Sequence, residues 1–456
     1  MYTSQYTEKE RTIDVIADVD VLVVGGGPAG IGAAVGAAKA GASVMIVENM
    51  GSFGGMWTNG MVITLGGFNC WLKPYRRCVA GVMGEWIAMA AKRGGAEDNR
   101  SWVLSSDPEI MKLTADEILT KYGVKCLLHT WVADAIVEDN AVRGVIVENV
   151  DGRSAIMAKN VVDCTGNGDV MARAGAEFNI ADELQPMTLP FFFAEVEPQG
   201  KIPMEDELII PKGPEPGYLG DVGLSYSSRR RDVGVDVNDP ALAEAYREGK
   251  LPFFGGPWFG GLRRNFPWVN TTRVYGSAIN ARELTDCEIE ARRDAHAIAD
   301  HYRANCKGFE RSWIMNTAPT MGVRETRRLV GEYTMTRADL VENTTKADSI
   351  AMGVWPIDIH PPKGQNGAHD MYVPVPYQIS YKALVPVKID NLLVAGRCAS
   401  TDREAMGSMR LGATCGAMGQ AAGVAAALGA QTGCTPRNLD YKTIQSELLH
   451  QGAIIE

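Results

Sequence analysis

Short apolar runs that end in glycine turns are the main pattern along this chain. The first run, residues 20–24, leads directly into Gly25-Gly26-Gly27-Pro28-Ala29-Gly30. Residues 31–42 follow with the small side chains of a closely packed helix, and a second apolar run, 43–47, ends on Glu48. Strand, turn, helix and strand in this order predict a βαβ unit at the start of the chain.

The glycines of this unit have the spacing G-x-G-x-x-G, which is typical of dinucleotide-binding folds. Gly25 permits a tight turn, Gly27 allows a pyrophosphate to approach the backbone, and Gly30 lets the helix pack close to the strand. The helix N-terminus offers N–H groups to the phosphates. Glu48 lies where an acidic side chain accepts hydrogen bonds from the adenosine ribose. The motif therefore predicts a dinucleotide cofactor, but it does not distinguish NAD from FAD.

The rest of the chain divides into a strand-rich segment, an aromatic-rich segment and a final α/β segment. Strands are predicted at residues 124–128, 130–138, 141–150, 160–164 and 391–397. Helices are predicted at residues 81–93, 239–248, 285–304 and 411–429. Together they predict an α/β fold, in which a Rossmann-like domain carries a β-meander and an inserted α+β substrate lobe. The aromatic residues of that lobe are most simply explained as core.

Composition limits the choice of partners. The chain has 45 basic and 55 acidic residues, a net charge of −10, which argues against nucleic acid and gives no support for anionic membranes.

The nine cysteines include no C-x-x-C pair, so we expect no metal site or iron–sulfur cluster. We expect Cys70 and Cys78 to serve packing. The N-terminus lacks the apolar core of a signal peptide, and no run of about 18 apolar residues occurs. We therefore expect a cytoplasmic protein with free thiols.

Three later motifs add a family resemblance. They are VVDCTGNGD at residues 161–169, GVRETRR at 322–328, and the segment 391–423, which contains Ala395-Gly396-Arg397. With the N-terminal unit and the GGMWT sequence at 54–58, they resemble the FAD-dependent oxidoreductase family of the glutathione-reductase-like flavoprotein superfamily. The resemblance covers both ends and part of the middle of the chain, whereas residues 195–300 match nothing in it.

This resemblance implies non-covalently bound FAD, because folds of this type recruit the late strand as well as the βαβ unit. It implies a discontinuous FAD-binding domain, residues 1–69, 110–180 and 381–456, and a substrate lobe, residues 70–109 and 181–380. Val132 would hold the adenine through its backbone, and Trp57, Thr58 and Asn69 would line the flavin ring. The cofactor-binding residues that it implies are Gly25, Gly27, Pro28, Ala29, Gly30, Glu48, Asn49, Gly55, Met56, Trp57, Val132, Thr165, Gly166, Asp169, Gly396, Arg397, Arg410, Gly412 and Ala413.

His360 and Arg324 are the candidate catalytic residues. A flavin carries the hydride, so the protein must bind the substrate and move protons, and histidine is the usual proton carrier near neutral pH. His360 and His369 lie in a Pro/Gly-rich polar loop, and the resemblance places the D-x-H that ends at His360 near the flavin. Which of the two moves the proton stays open, as does a purely structural role for both. Arg324 could clamp an anionic substrate group, or it could pair with Glu325 or Glu332 and join two lobes.

We therefore expect an FAD-dependent oxidoreductase, an oxidase or a dehydrogenase, that transfers a hydride between a small organic substrate and the flavin. One alternative is a flavoprotein that uses FAD for a non-redox elimination or hydration. Another is a tRNA-modifying flavoprotein, against which the negative net charge argues. The sequence leaves open the substrate, the direction of reaction, the electron acceptor and the formation of homo-oligomers.

Overall fold

The computed structural model describes residues 6–71, 76–99, 103–197, 217–218, 240–262, 266–361 and 369–456. Its strands are β1 (Asp14–Val24), β2 (Val44–Val47), β3 (Thr64–Gly66), β4 (Val103–Ser105), β5 (Lys125–Leu127), β6 (Trp131–Glu138), β7 (Ala141–Asn149), β8 (Gly152–Asp163), β9 (Phe178–Asn179), β10 (Phe191–Ala194), β11 (Gly217–Tyr218), β12 (Phe254–Gly260), β13 (Trp268–Thr272), β14 (Trp313–Thr317), β15 (Arg328–Leu329), β16 (Ser349–Gly353), β17 (Ile357–Ile359), β18 (His369–Val373), β19 (Tyr377–Ser380) and β20 (Leu392–Val394). Its helices are α1 (Pro28–Lys39), α2 (Gly81–Lys92), α3 (Pro108–Lys121), α4 (Asp169–Arg173), α5 (Pro240–Arg247), α6 (Ala281–Asn305), α7 (Arg337–Val341), α8 (Arg403–Met409), α9 (Gly412–Thr432) and α10 (Tyr441–His450).

The largest sheet has seven strands in the order β5-β2-β1-β8-β7-β6, with β20 also paired to β8. β1 runs parallel to β2 and β8, β2 runs parallel to β5, and β8 runs parallel to β20. β6, β7 and β8 form an antiparallel meander. The end of β1 is an unbroken apolar run because side chains on both faces of the sheet are buried, in two separate core clusters. The predicted α/β class with a Rossmann-like sheet and a meander is confirmed.

β8 departs from the prediction, because it is one continuous strand of 12 residues. The sequence predicted a turn at residues 151–152 and then a separate strand at 160–164. The first half of β8 pairs with β7, and its last three residues pair with β20. The polar residue Asn160 does not interrupt the strand, because its side-chain amide donates a hydrogen bond to the Ala426 carbonyl of α9 at 2.9 Å. β8 thus links the meander to the edge where the glycine motif lies.

A second sheet of four strands has the order β12-β13-β10-β14 and packs against α6. Its core is aromatic: Phe191, Phe193, Tyr302 and Phe309 are fully buried, and the Phe193 and Phe309 rings lie 5.2 Å apart, edge to face. Aromatic rings in such contacts bury large apolar areas. These aromatics of the middle segment are core, as expected, whereas Trp313 is 47% exposed.

Helix starts are decided by caps that the apolar pattern did not reveal. α6 begins at Ala281 rather than at residue 285, because the Asn280 side chain accepts hydrogen bonds from the N–H groups of Arg282 and Glu283. α3 was not predicted at all, and it begins after Asp107, which caps it in the same way. α1 begins at Pro28, inside the glycine motif, because proline suits the first turn of a helix.

α9 is a helix of 21 residues made largely of alanine and glycine. Among the described residues, no single helix has the length and apolar character needed to cross a bilayer. α8 and α9, which are bent by 94° relative to each other, meet that test of length and composition only as a pair.

α1 and α9 pack with their backbones in direct contact. A Cβ atom on Gly419 of α9 would overlap the carbonyl oxygen of Ala29 in α1. One turn further along, a Cβ on Gly423 would overlap the carbonyl oxygen of Ala33. These glycines are therefore required by close approach, since any side chain would push the two helices apart.

Replacing Gly419 with alanine should destabilise the protein. Overpacking of this kind costs about 1–3 kcal/mol or more in the free energy of unfolding, which urea titration measures. Gly84→Ala in α2 is the matched control, because its Cβ would lie 3.8 Å from the Ala80 Cβ, an ordinary contact. That variant should gain about 0.5–1 kcal/mol from helix propensity. Equal midpoints for the two variants would contradict the close-packing argument.

Candidate active site

Four strand ends meet at one edge of the large sheet. Gly25 follows β1, Glu48 follows β2, Thr165 lies just beyond β8, and Gly396 lies just beyond β20. The strands are parallel, so their carboxyl ends share an edge, which is where α/β folds bind ligands. A Cβ on Gly25 would lie 2.8 Å from the Thr165 Cα, and one on Gly396 would lie 3.2 Å from the Ala29 Cβ. Segments distant in sequence thus converge as expected.

The N-terminus of α1 forms a cradle without side chains. Gly27 caps the helix with no side-chain hydrogen bond, and a Cβ on Gly55 would lie 2.7 Å from the Gly27 Cα. The Gly54 N–H donates to the Gly26 carbonyl at 2.8 Å. This hydrogen bond holds the loop at Gly54 and Gly55 against the loop at Gly25 to Gly27. Two backbones this close leave N–H groups and space for a phosphate.

The N-terminus of α9 has the same properties. Leu411 caps α9 without a side-chain hydrogen bond. Neither α1 nor α9 carries an acidic residue in its first turn, so both helix dipoles present positive ends without compensation. The buried hydroxyl of Thr414, in the first turn of α9, has no hydrogen-bond partner among the described residues. These observations fit a cofactor that brings phosphates to α1 and a polar ring edge to α9.

Glu48 lies beside this cradle with its carboxylate held by backbone. Oε2 accepts from the Gly26 N–H at 2.6 Å, and Oε1 accepts from the Met50 N–H at 2.9 Å. Burial raises the pKa of Glu48 above its ordinary value. The position agrees with the expected ribose contact, which stays a prediction, as do the contacts of Asn49 and Val132 with the cofactor.

Trp57, which was expected to line the flavin ring, is buried in the core of the protein. Its side chain is only 2% exposed and packs against Phe68 and Trp86, with ring centroids 5.8 and 5.2 Å away. A Cβ on Gly412 would overlap the Trp57 indole, so the ring supports the start of α9 from inside the core. Thr58 and Asn69, at 1% and 0% exposure, are likewise interior. All three side chains are thus buried beside the glycine-rich loop.

Arg397 joins the late strand to the turn after β8. Its Nη2 donates to Asn167 Oδ1 at 2.6 Å and its Nη1 donates to Thr326 Oγ1 at 2.8 Å. Asp169 begins α4 nearby and accepts from Arg327 at 3.1 Å. Both predicted cofactor residues therefore lie at the carboxyl edge of the sheet. Their contact with a cofactor stays a prediction.

Arg324 is buried but does not form the ion pair that was considered as its structural role. Its Nη1 donates to the Pro186 carbonyl at 2.5 Å and to Thr188 Oγ1 at 2.8 Å. Glu325 pairs instead with Arg328 and Arg403, and the other proposed partner, at position 332, pairs with the arginine at 437. Burial, followed by repulsion from neighbouring arginines, lowers the pKa of Arg324 well below its ordinary value.

Arg273 is a site residue that the sequence analysis missed. It follows β13, and its Nη1 donates to Thr188 Oγ1 at 2.8 Å, to Asn270 Oδ1 at 3.1 Å and to the Thr272 carbonyl at 2.9 Å. The side chain is buried, and burial lowers its pKa to about 10. The one signal in the sequence was a charged residue directly after a short strand, which is too common to be specific.

His360 lies just after β17, close enough to the same arginines for their charges to affect its pKa. Its Nε2 is 3.6 Å from Asp358 Oδ2, and its backbone N–H donates to Gln185 Oε1 at 3.0 Å. Asp358 also accepts from Arg410 Nη2 at 3.2 Å. Burial, and then repulsion from Arg324 and two further arginines, lowers the pKa of His360 well below its ordinary value. Both effects favour the neutral form of the imidazole.

His369, Cys70 and Cys78 were the other residues considered for chemistry. The backbone of His369 lies in β18, but its side chain is outside the described residues. Cys70 and Cys78 are buried together in a small apolar cluster, as predicted, and a hydrogen bond from Cys78 lowers the pKa of Cys70 to about 6. Over the described ranges, no group of three or more histidine, cysteine, aspartate or glutamate residues is placed to hold a metal ion.

These features define an α/β protein that binds a dinucleotide at the carboxyl edge of a parallel sheet. The model of the family described as FAD dependent oxidoreductase matches residues 20–448. The chain therefore belongs to the FAD dependent oxidoreductase family, and its cofactor is FAD, which the two uncapped helix N-termini and the glycine cradle fit.

Individual relatives match shorter stretches. Thiamine thiazole synthase of Pyrococcus horikoshii is 31% identical over 166 residues, which are 34% of this chain and 60% of that protein. The enzyme of the same name from Aeropyrum pernix is 33% identical over 183 residues, 37% of this chain and 63% of that protein. The chain thus spans about 60% of the length of these relatives. A geranylgeranyl bacteriochlorophyll reductase-like protein of Thermoplasma acidophilum is 14% identical, with a TM-score of 0.44, over 96% of this chain and 84% of that one.

Gly27→Ala should weaken FAD binding without disturbing the fold. The Gly27 φ angle is −71°, which alanine adopts freely, and the new Cβ would lie 3.8 Å from its nearest neighbour, the Gly55 Cα. The methyl group would nevertheless occupy the space through which the pyrophosphate approaches. We expect an affinity lower by about 10- to 100-fold, measured by titrating the apoprotein with FAD. Gly84→Ala should bind FAD normally, and an unchanged affinity for Gly27→Ala would move the phosphate away from this cradle.

Proposed function

We propose that this protein transfers a hydride between a small organic substrate and FAD, as an oxidase or dehydrogenase of the wider glutathione-reductase-like superfamily. In this proposal His360 moves the proton and Arg324 holds the substrate. Bound FAD supplies the two-electron acceptor or donor, and the chain binds, orients and exchanges protons. The substrate is a small molecule rather than a nucleic acid, in keeping with the net charge of −10.

The position of His360 carries this proposal: its Nε2 lies 3.6 Å from Asp358 Oδ2, and burial and neighbouring arginines lower its pKa. A neutral imidazole accepts a proton, so Nε2 is suited to take one from a hydroxyl or amine as the substrate carbon loses a hydride. Asp358 Oδ2, at 3.6 Å from that nitrogen, would stabilise the imidazolium that forms. Arg410 caps the C-terminus of α8, two residues before the start of α9, and donates a hydrogen bond to the same carboxylate. Proton acceptor and expected flavin site are thus joined by one short chain of contacts.

Replacement of His360 should slow reduction of the flavin. Loss of a general base lowers a rate by about 10²- to 10⁴-fold, so His360→Ala should bleach its flavin that much more slowly in anaerobic stopped-flow assays. The substrate would first be found by screening hydroxy acids, amines, sugars and unsaturated acids for anaerobic bleaching. His296→Ala on the exposed face of α6 is the control.

Three outcomes of these assays would count against the proposal. An unchanged rate in His360→Ala, with normal flavin content, would remove this residue from proton transfer. A compound that is consumed while the flavin stays oxidised would indicate the non-redox alternative. RNA binding that weakens steeply with salt would indicate the tRNA-modifying alternative.

The pH dependence of flavin reduction should reflect the lowered pKa of His360. The base form is required, and it persists above the folded-state pKa, which lies well below 6.5. The second-order rate constant for flavin reduction at low substrate, which reports the pKa of the free protein, should therefore stay level from about pH 8 down to the usual histidine range and fall only at more acidic pH. A midpoint at or above the ordinary histidine value would show that another group is titrating.

A further inference from the structure

Two buried guanidinium groups converge on one hydroxyl. Arg273 and Arg324 each donate from Nη1 to Thr188 Oγ1 at 2.8 Å. All of their remaining hydrogen bonds to described residues also leave from Nη1, to neutral oxygens. In each guanidinium group, the Nε and Nη2 hydrogens point in the same direction and can bind two oxygens of a planar or tetrahedral oxyanion.

The surroundings do not balance this charge. Within the described residues, neither Arg273 nor Arg324 has a carboxylate partner, since the nearby Asp358 pairs with Arg410. Among the described residues, three arginines and one aspartate leave an excess of two positive charges here, and the surroundings of His360 favour its neutral form. Like charges held this close without compensation are unfavourable, which makes a purely structural role a poor explanation.

The arrangement is rigid rather than incidental. Gly255 of β12 leaves room for Arg273, because a Cβ there would lie 2.6 Å from Nε and 2.8 Å from Nη2. Asn270 and Thr272 fix the other end of the same guanidinium. Arg273 comes from the aromatic-rich lobe and Arg410 from the start of the α9 region, so the excess charge lies where lobe and cofactor domain meet.

We propose that Arg273 and Arg324 bind a doubly charged oxyanion portion of the substrate, either two carboxylates or one phosphate. This inference rests on the proposed function, since it names the substrate class of the same site. Two negative charges match the excess of two positive charges. Burial is the main cause of the lowered pKa of His360, and repulsion from the arginines adds to it. A bound anion would offset that repulsion, so the imidazole would become a stronger base once the substrate is in place.

Anion binding to the FAD-loaded protein tests this directly. We would titrate the holoenzyme separately with malonate, inorganic phosphate and acetate, and follow heat by calorimetry and perturbation of the visible flavin spectrum. Malonate or phosphate should bind with one site per chain, and acetate should bind more weakly because it carries one charge. The tighter of malonate and phosphate identifies which oxyanion the substrate carries.

Arg273→Met should weaken binding of the preferred anion by about 10- to 100-fold. Arg292→Met is the matched control, because it makes the same change in net charge on an exposed face of α6, where the side chain is 49% exposed. It should leave the affinity unchanged. If Arg273→Met does not fold or does not retain FAD, Arg273→Lys keeps the charge but loses the fork, and its affinity should still fall more than that of Arg292→Lys.

Three results would overturn the inference. They are the absence of malonate and phosphate binding to holoenzyme, equal loss of affinity in the Arg273 and Arg292 variants, and anion binding to apoprotein that FAD abolishes. The last would assign the arginines to the cofactor. Failure of the proposed function is distinguishable, because anions would then bind with dependence on Arg273 while no compound bleached the flavin. Conversely, bleaching by a neutral substrate with dependence on His360, without anion binding, would remove only this inference.

Discussion

The rest of the structure depends on the direct backbone contact between α1 and α9. α1 belongs to the first βαβ unit and α9 to the end of the chain, so their contact brings the two ends of the sequence together. Glycines on both helices permit it: a Cβ on Gly32 of α1 would overlap the Gly416 carbonyl, and a Cβ on Gly419 would overlap the Ala29 carbonyl. Because both helices begin at the carboxyl edge of the sheet, their uncapped N-termini lie on one side of the molecule.

Arginine side chains from several segments gather near the start of α9. α8 ends at Met409. The next residue, Arg410, donates hydrogen bonds to the carbonyl and the carboxylate of Asp358 in β17. From the other direction, β13 delivers Arg273 and the segment after β14 delivers Arg324, both to Thr188. The carboxyl edge of the large sheet therefore carries uncapped helix N-termini, whereas arginine side chains from β13, from the segment after β14 and from the end of α8 gather near Thr188 and Asp358. Such a division is usual where a cofactor does the electron chemistry and the protein selects the substrate.

The sequence predicted those parts of the fold whose physical cause is local. Gly25, Gly27 and Gly30 act within one turn, so their spacing revealed both the βαβ unit and the cofactor class. The burial of Trp57 could not be predicted, because it depends on packing against the start of α9, which is distant in sequence. β8 begins well before the strand predicted at 160–164, because its first part is stabilised by antiparallel pairing with β7, which the local apolar pattern does not show.

The same limit applies more strongly to the candidate site. His360 could be found because histidines are few and it lies in a polar loop. Arg273 could not, because arginine is common and nothing near it in sequence indicates that its charge lies beside that of Arg324. The significance of a buried cation comes from the absence of a nearby anion among the described residues, which only the folded arrangement reveals.

The electrostatics of the site favour an order of events. In the free protein, burial first and repulsion from three arginines second lower the pKa of His360 and oppose its gain of a proton. A base in that field is weak until a negative group enters. An anionic substrate that binds Arg273 and Arg324 would remove much of the opposing field and strengthen the base at the moment when a proton must be accepted. A neutral molecule in the same place would leave the field intact, so the arginines would select for substrate charge through the proton transfer as well as through binding.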